Sequence, residues 1–201
     1  MKNFTFSSRD LRGPGLLQPI NKKFMDILQV HDKQFKPFIS AGQIEETVKR
    51  LAGELNKDYA QSVPLFVSIL SGSFMFAADL FKHLSIPAEI CFIKLASYKG
   101  TKSTGNVITS IGLDVELHGR DVIILEDIID TGKTLHAFLP QLEHHSPRSL
   151  KICALLNKPD SMVYPINIDY LGITIPDNFV VGYGLDYDGL GRNLPQIYQV
   201  I

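Results

Sequence analysis

The stretch from Asp121 to Leu135, Asp-Val-Ile-Ile-Leu-Glu-Asp-Ile-Ile-Asp-Thr-Gly-Lys-Thr-Leu, constrains the fold more than any other. Val122-Ile123-Ile124-Leu125 is a short apolar, β-branched run without helical periodicity, the pattern of a strand buried on both faces. Strands of that kind belong to parallel sheets covered by helices, which points to an α/β architecture. Glu126, Asp127 and Asp130 follow where the strand is expected to end, at Leu125, and Thr131-Gly132-Lys133-Thr134 then opens a helix. The order is strand, acidic turn, small-residue loop, helix.

Two opposite demands meet in that turn. Small residues at a helix start leave backbone N–H groups and the positive end of the helix dipole for a phosphate. Three carboxylates repel a bare phosphate, so they serve something else: sugar hydroxyls, a bridging Mg2+, or a proton on a reacting base. A ligand with a phosphate, a polyol and a metal satisfies all of them. Gly132-Lys133-Thr134 ends like a P-loop, but that motif needs a glycine where this chain has Asp127. A solvated acidic turn capping a strand is the plain structural alternative. The position of the cluster at a strand's C-terminal end, where α/β ligands bind, weighs against it.

The chain has 201 residues, 45% hydrophobic and 20% charged, enough for one globular domain with a small appendage. A formal net charge of −1 gives no global basic field for nucleic acid or an anionic membrane, so phosphate binding has to be local. Cys91 and Cys153 both sit in apolar runs, as free thiols packing like small hydrophobes do, which suits a reducing compartment. The N-terminus lacks the apolar core of a signal peptide and no run approaches a membrane span, so the expected location is the cytoplasm.

Residues 1 to 40 show little sustained periodicity, with a break at Arg12-Gly13-Pro14-Gly15 and a hint of a short element near Met25 to Leu28. They read as an extension that packs beside the core. Ser40 is a candidate N-cap, and Ile44, Val48, Leu51 and Leu55 share one helical face, predicting a helix over 42–56. Leu65 to Leu70 predicts a buried strand, Ser71-Gly72-Ser73 a loop, and Phe74 to His83 a helix. That loop can present N–H groups to an anion or be a plain tight turn. Ala88 to Leu95 predicts a further strand, residues 97–105 a polar loop, and 107–112 the return of a two-stranded excursion. The central helix is expected over 134–142, bent at Pro140. Strands are expected over 150–156 and 169–175. Lys158, just past a strand end, suits surface charge or a ligand carbonyl, and Phe179 suits the core or a stacking platform.

Glu126 to Thr134 resembles the phosphoribosyl diphosphate (PRPP) signature of type I phosphoribosyltransferases, in the 6-oxopurine (hypoxanthine-guanine) branch. The third acid, Asp130, is carried by that branch and lacking in the adenine enzymes. Leu70 to Ser73, Leu95 to Gly105, Lys158, and the block Pro176 to Tyr187 with Arg192 also resemble the family's motifs, in the expected order over residues 38–200. The resemblance implies a mainly parallel sheet of about five strands flanked by helices, with a small hood. It implies an N-terminal extension over 1–40 contributing to the hood, a PRPP-binding core over 41–156, and a purine-binding hood segment over 157–201.

The resemblance also implies roles. Asp130 would be the catalytic acid or base at the purine N7. PRPP would be held by Ser71 and Gly72 of the pyrophosphate loop, Ser97 and Tyr98 of a closing loop, Glu126, Asp127, Thr131, Gly132, Lys133, Thr134 and Arg192. Lys158, Phe179, Val180 and Asp186 would bind the purine, and Glu126, Asp127 and Asp186 would ligate Mg2+. Many members carry Lys or Arg where this chain has Ser71, and a cis peptide is expected at the Ser71–Gly72 step. The implied activity is purine salvage, from hypoxanthine or guanine plus PRPP to the nucleoside 5′-monophosphate, by a homo-oligomer (dimer or tetramer) with no nucleic-acid or membrane partner. A non-catalytic nucleotide- or PRPP-sensing regulator and a metal-dependent phosphatase stand as alternatives.

Overall fold

In the computed structural model, which describes residues 27–97, 107–111 and 115–201, the apolar run Val122 to Leu125 lies at the centre of a six-stranded sheet, fully buried. Its strand, β6 (Asp121–Ile129), pairs in parallel with β3 (Leu65–Leu70) on one side and β7 (Ser149–Asn157) on the other. Outside β3 lies β4 (Glu89–Ser97), and outside β7 lies β8 (Tyr170–Thr174), both parallel to their neighbours. The far edge is β5 (Val107–Ile111), antiparallel to β4. Five parallel strands plus one antiparallel edge is the sheet that the sequence implied.

Alternate residues of β6 feed two cores, as strand geometry requires. Ile123 and Leu125 pack with helix α1 (Ala41–Asp58) and helix α2 (Phe74–His83), whereas Val122 and Ile124 pack with helix α3 (Lys133–Glu143). Helix α1 forms where expected because Ser40 caps it. Ser40 Oγ accepts from Gln43 N at 3.3 Å while Gln43 Oε1 accepts from Ser40 N at 3.0 Å, a reciprocal capping box. Its buried stripe is Ile44, Val48, Leu51, Ala52 and Leu55.

The strand expected to stop at Leu125 continues to Ile129. The reason is pairing: β7 keeps register through Ile128↔Leu156 and Ile129↔Asn157, so Glu126 and Asp127 belong to the strand and not to a turn after it. Pro140 sits inside α3, and the helix runs on past it to Glu143.

A second, four-stranded antiparallel sheet has the order β1-β2-β10-β9, built from β1 (Leu28–Val30), β2 (Lys33–Ile39), β9 (Val180–Val181) and β10 (Ile197–Val200). This is the hood, and segments from early and late in the chain build it together. The 28–39 hairpin escaped the sequence reading because only Phe35 and Ile39 of β2 face inward fully and Pro37 interrupts the run. The stretch 157–201 is not all hood, since β8 within it joins the large sheet through Cys153↔Tyr170 and its neighbours. Both cysteines are free thiols. Among the described residues no helix is long and apolar enough to cross a membrane.

The end of the sheet away from the acidic cluster is tied by one carboxylate. Asp121, buried at the start of β6, accepts from Arg148 Nε at 2.9 Å, from Arg148 Nη2 and from Ser149 Oγ at 2.7 Å. The Arg148 hydrogen bonds outweigh burial and hold its pKa down at about 2. A depressed carboxylate contributes stability above its unfolded value of about 3.9 that is lost as pH falls through the folded one. Because Arg148 is more than half exposed, solvent screening trims the contribution to about 1–2 kcal/mol. Asp121→Asn is therefore expected to lower Tm by about 2–8 °C near pH 7. Thermal melts of parent and variant should converge as pH is lowered toward about 2; a gap independent of pH would refute the electrostatic account.

Candidate active site

The carboxyl ends of β3, β6 and β7 make one rim, the usual ligand edge of an open parallel sheet. Glu126 and Asp127 are consecutive strand residues and so face opposite ways. Glu126, buried, lines a pocket with residues 128–135 over the start of α3. Asp127 faces the loop after β3: a Cβ built on Gly72 would fall 1.6 Å from Asp127 Oδ2, so only glycine leaves room for that carboxylate. Burial pushes the Glu126 carboxyl well above the usual range, and the neighbouring Asp127 adds to this. Asp127 itself is raised to about 6 by burial, against backbone N–H groups and the nearby Arg192 charge. Carboxylates this reluctant to ionise favour the arrival of a cation or of hydroxyl donors.

Thr131, Gly132, Lys133 and Thr134 form the floor of the Glu126 pocket. Gly132 caps α3 at φ +75°, and a Cβ there would lie 2.2 Å from the Tyr164 carbonyl oxygen. Thr131 O accepts from Val163 N and Tyr164 N, both at 3.0 Å. The loop is thus clamped from outside by residues 163–164, while the first turn of α3, where Lys133 N donates to Thr131 Oγ1 at 3.4 Å, leaves N–H groups without an intrahelical acceptor, as a helix start suited to an anion does.

The loop Ser71-Gly72-Ser73 carries a cis peptide bond at Leu70–Ser71, one step before the Ser71–Gly72 step expected. Ser71 is exposed, and Ser73 is buried with its Oγ donating to Ile69 O at 2.5 Å. Ser97 ends β4, and Tyr98 lies outside the described residues.

Lys158 is not surface charge. It is buried at the end of β7 with its Nζ 3.1 Å from Asp130 Oδ2 and 3.5 Å from Asp177 Oδ1. Asp130, half exposed, stands between the phosphate-type loop and this ammonium. Phe179 is 41% exposed, a high value for an aromatic core residue, and is propped by Phe35 at 6.2 Å and Tyr187 at 5.5 Å between ring centroids. Lys33 Nζ lies over both the Phe179 and Tyr187 rings, at 5.5 and 5.1 Å. Val180, next in sequence, is buried in β9.

Asp186 and Arg192 form an ion pair at 2.6 Å, and Arg192 Nη1 also donates to Gly184 O at 2.6 Å. Both groups act on the ionisation of Asp127, so the tail reaches the rim of β6. The structure therefore brings together Gly72, Asp127, Asp186 and Arg192 on one side, and Glu126 with 130–134 on the other, with Lys158 beside Asp130. Among the described residues no three His, Cys, Asp or Glu side chains converge to cage a metal unaided. Glu126, Asp127 and Asp186 do not form one such cage because adjacent strand residues diverge and Asp186 is held by Arg192. Sequence reasoning missed Tyr164 and Lys33 as neighbours of the site, and it placed Asp177 and Tyr187 in the Pro176 to Tyr187 block without giving either a role.

A pair of acids near a strand's carboxyl end, a small-residue loop capping a helix and a third acid beside a buried lysine make this rim the candidate ligand site of an α/β protein. The family model "Phosphoribosyl transferase domain" matches residues 40–188. A hypoxanthine-guanine phosphoribosyltransferase of Lactococcus lactis is 44% identical over 163 residues, covering 81% of this chain and 88% of the relative. A hypoxanthine phosphoribosyltransferase of Buchnera aphidicola is 43% identical over 169 residues, covering 83% of this chain and 96% of the relative. The crystal structure of a hypoxanthine-guanine phosphoribosyltransferase from Bacillus anthracis superposes with a TM-score of 0.78 at 39% identity, covering 88% of this chain and all of that one. The chain belongs to the phosphoribosyltransferase family, in its hypoxanthine-guanine branch.

Proposed function

We propose that this chain transfers the 5-phosphoribosyl group of PRPP to hypoxanthine or guanine, giving the nucleoside 5′-monophosphate and pyrophosphate. The observation that carries the reading is the Asp130–Lys158 ion pair beside the Thr131–Thr134 loop, a carboxylate and an ammonium positioned to read a base that carries both a proton and an oxo group. In the reaction the bond from ribose C1 to pyrophosphate breaks as a bond to the base nitrogen forms, and positive charge develops at C1. Thr131 to Thr134 anchor the 5′-phosphate and hold C1 in line with the base. Asp130 accepts the proton leaving N7, and Lys158 donates to the exocyclic oxygen, which adenine lacks. Phe179 supplies a stacking face and the Val180 backbone reads the polar edge of the base. Gly72 and Arg192 hold the departing pyrophosphate, with Ser71 contributing backbone and hydroxyl in place of a basic side chain.

The carboxylates fit Mg2+. Asp127 and Glu126 are destabilised by burial, and Mg2+ is ordinarily held by one or two carboxylates plus substrate oxygens and water. When bound, the ion neutralises pyrophosphate charge and fixes the ribose hydroxyls. Glu126 and Asp127 would orient those hydroxyls, and Asp186, paired with Arg192 in this structure, would hold a second ion. The resemblance assigns Ser97 and Tyr98 to a loop that would exclude water from the activated ribose. The resemblance further supports a homo-oligomer, a dimer or tetramer, and the free thiols suit the reducing cytoplasm.

Initial rates of pyrophosphate release with PRPP, Mg2+ and each of hypoxanthine, guanine, xanthine and adenine test the reading. Turnover with a 6-oxopurine is expected to exceed that with adenine by about 10²-fold or more, since the 6-amino group of adenine would set a donor against the Lys158 ammonium where an oxopurine offers an acceptor. No turnover with any base points to a PRPP-sensing regulator, and phosphate release without purine points to a phosphatase.

A further inference from the structure

Tyr183 is a bulky residue at φ +50°, where L side chains rarely sit, yet its ring is buried in the core shared by α2 and the sheet. Its backbone N donates to Leu194 O at 2.8 Å. Its hydroxyl donates to Asp79 Oδ2 at 2.7 Å, and Asp79 Oδ1 accepts from Lys82 at 2.7 Å. Asp79 lies on α2, the helix that begins directly after Ser71-Gly72-Ser73. A charge-assisted hydrogen bond therefore joins the helix after the pyrophosphate loop to the tail segment that covers the loop. Burial and the Asp79 carboxylate push the Tyr183 hydroxyl up, so it remains a donor. Burial raises the Asp79 carboxyl, but the bonds from Lys82 and Tyr183 outweigh it and keep it below its ordinary value.

What Tyr183 holds is its neighbour. Gly184, at φ +98°, touches the loop backbone: a Cβ there would lie 2.0 Å from Gly72 O. Arg192 grips Gly184 at both ends, with Gly184 N donating to Arg192 O at 2.9 Å and Arg192 Nη1 donating to Gly184 O at 2.6 Å. Beneath Gly72 lies the Asp127 carboxylate. Gly184, Gly72 and Asp127 thus form a stack with no space for a side chain at either glycine, and Arg192 hangs from its top layer. We propose that Asp79 and Tyr183 are positioning residues for the transfer reaction: their hydrogen bond seats Gly184 on Gly72 and thereby fixes Arg192 against the pyrophosphate of PRPP. Neither touches substrate. The proposal rests on the assignment of Gly72 and Arg192 to pyrophosphate made above.

Tyr183→Phe removes one hydroxyl and keeps the buried ring, so the fold is retained. The expected result is a loss of PRPP affinity of about tenfold, seen by calorimetry and as a raised KM for PRPP, with the KM for hypoxanthine within about twofold of the parent. Asp79→Asn keeps an acceptor for the phenol and should restore most of the affinity that Asp79→Ala loses. Lys82→Ala, which removes only the outer ion pair, should leave both KM values unchanged. Equal rises in both KM values together with a lowered Tm would show a merely structural role and overturn the proposal, as would an unmoved PRPP affinity. If the parent binds PRPP and turns over normally while Tyr183→Phe is indistinguishable from it, only the positioning role falls. A parent that neither binds PRPP nor turns over removes the underlying reading as well.

Discussion

Asp130→Asn is expected to lower kcat by about 10²–10⁴-fold while changing the dissociation constant for PRPP by less than about threefold. The amide keeps the shape of the side chain and can still face Lys158, 3.1 Å away in the parent, but it cannot accept the N7 proton as bond formation proceeds. Lys158 retains Asp177 as its second carboxylate, so the buried ammonium is not left without a counter-charge. The Thr131–Thr134 loop and the Gly72–Asp127 contact lie on either side and are untouched. Steady-state rates with hypoxanthine and calorimetry with PRPP and Mg2+ separate the two effects. A variant with the parent's kcat would remove Asp130 from the chemistry.

Asp127→Asn should have the opposite signature: greatly weakened PRPP and Mg2+ binding in a protein that is more stable without ligand. A carboxyl whose pKa is raised to about 6 in the folded chain resists ionisation there while it ionises near 3.9 in the unfolded chain. The sign follows from linkage: stability declines as pH rises from about 4 to about 6, and the full penalty persists above that. The shift of about two pH units corresponds to at most about 3 kcal/mol, and water access at the partly exposed carboxylate reduces it to about 1–2 kcal/mol. The variant's Tm should therefore exceed the parent's near pH 8 by about 2–8 °C, and the two should agree near pH 4. Affinity for PRPP should drop by about 10²-fold, because on the proposed assignment ribose hydroxyls and Mg2+ lose a charged partner. Unchanged affinity would count against the ribose assignment, and a Tm gap independent of pH would count against buried charge as its cause. This pattern belongs to a group kept for binding at a cost in stability.

Much of the scaffold was legible because it is written in local periodicity. Ile44, Val48, Leu51 and Leu55 recur at helical spacing, Ser40 stands where a helix N-cap is needed, and the β-branched run 122–125 needs cover on both faces; each requirement is met within a few residues of chain. The extent of β6 was not legible, since Glu126 and Asp127 look like a turn until β7 supplies carbonyl and N–H partners out to Asn157. The hood hairpin was equally hidden. Its inward residues Phe35 and Ile39 make sense only once β10, from far along the chain, lies beside them.

The site divides in the same way. Residues 121–135 by themselves placed a helix start suited to a phosphate beside a cluster of carboxylates, because helix termini and acid clusters are local chemistry. Tertiary structure alone decided how the acids share the work. Strand pleating turns Glu126 toward the phosphate loop and Asp127 toward Gly72, and β7 delivers Lys158 to Asp130. The tail, folded back over the sheet, sets Arg192 and Asp186 above Gly72 through Gly184. Those pairings join residues as far apart in the chain as Gly72 and Gly184, and only the packing of one strand on the next, with no room for a Cβ at Gly72 or Gly184, brings them within contact distance.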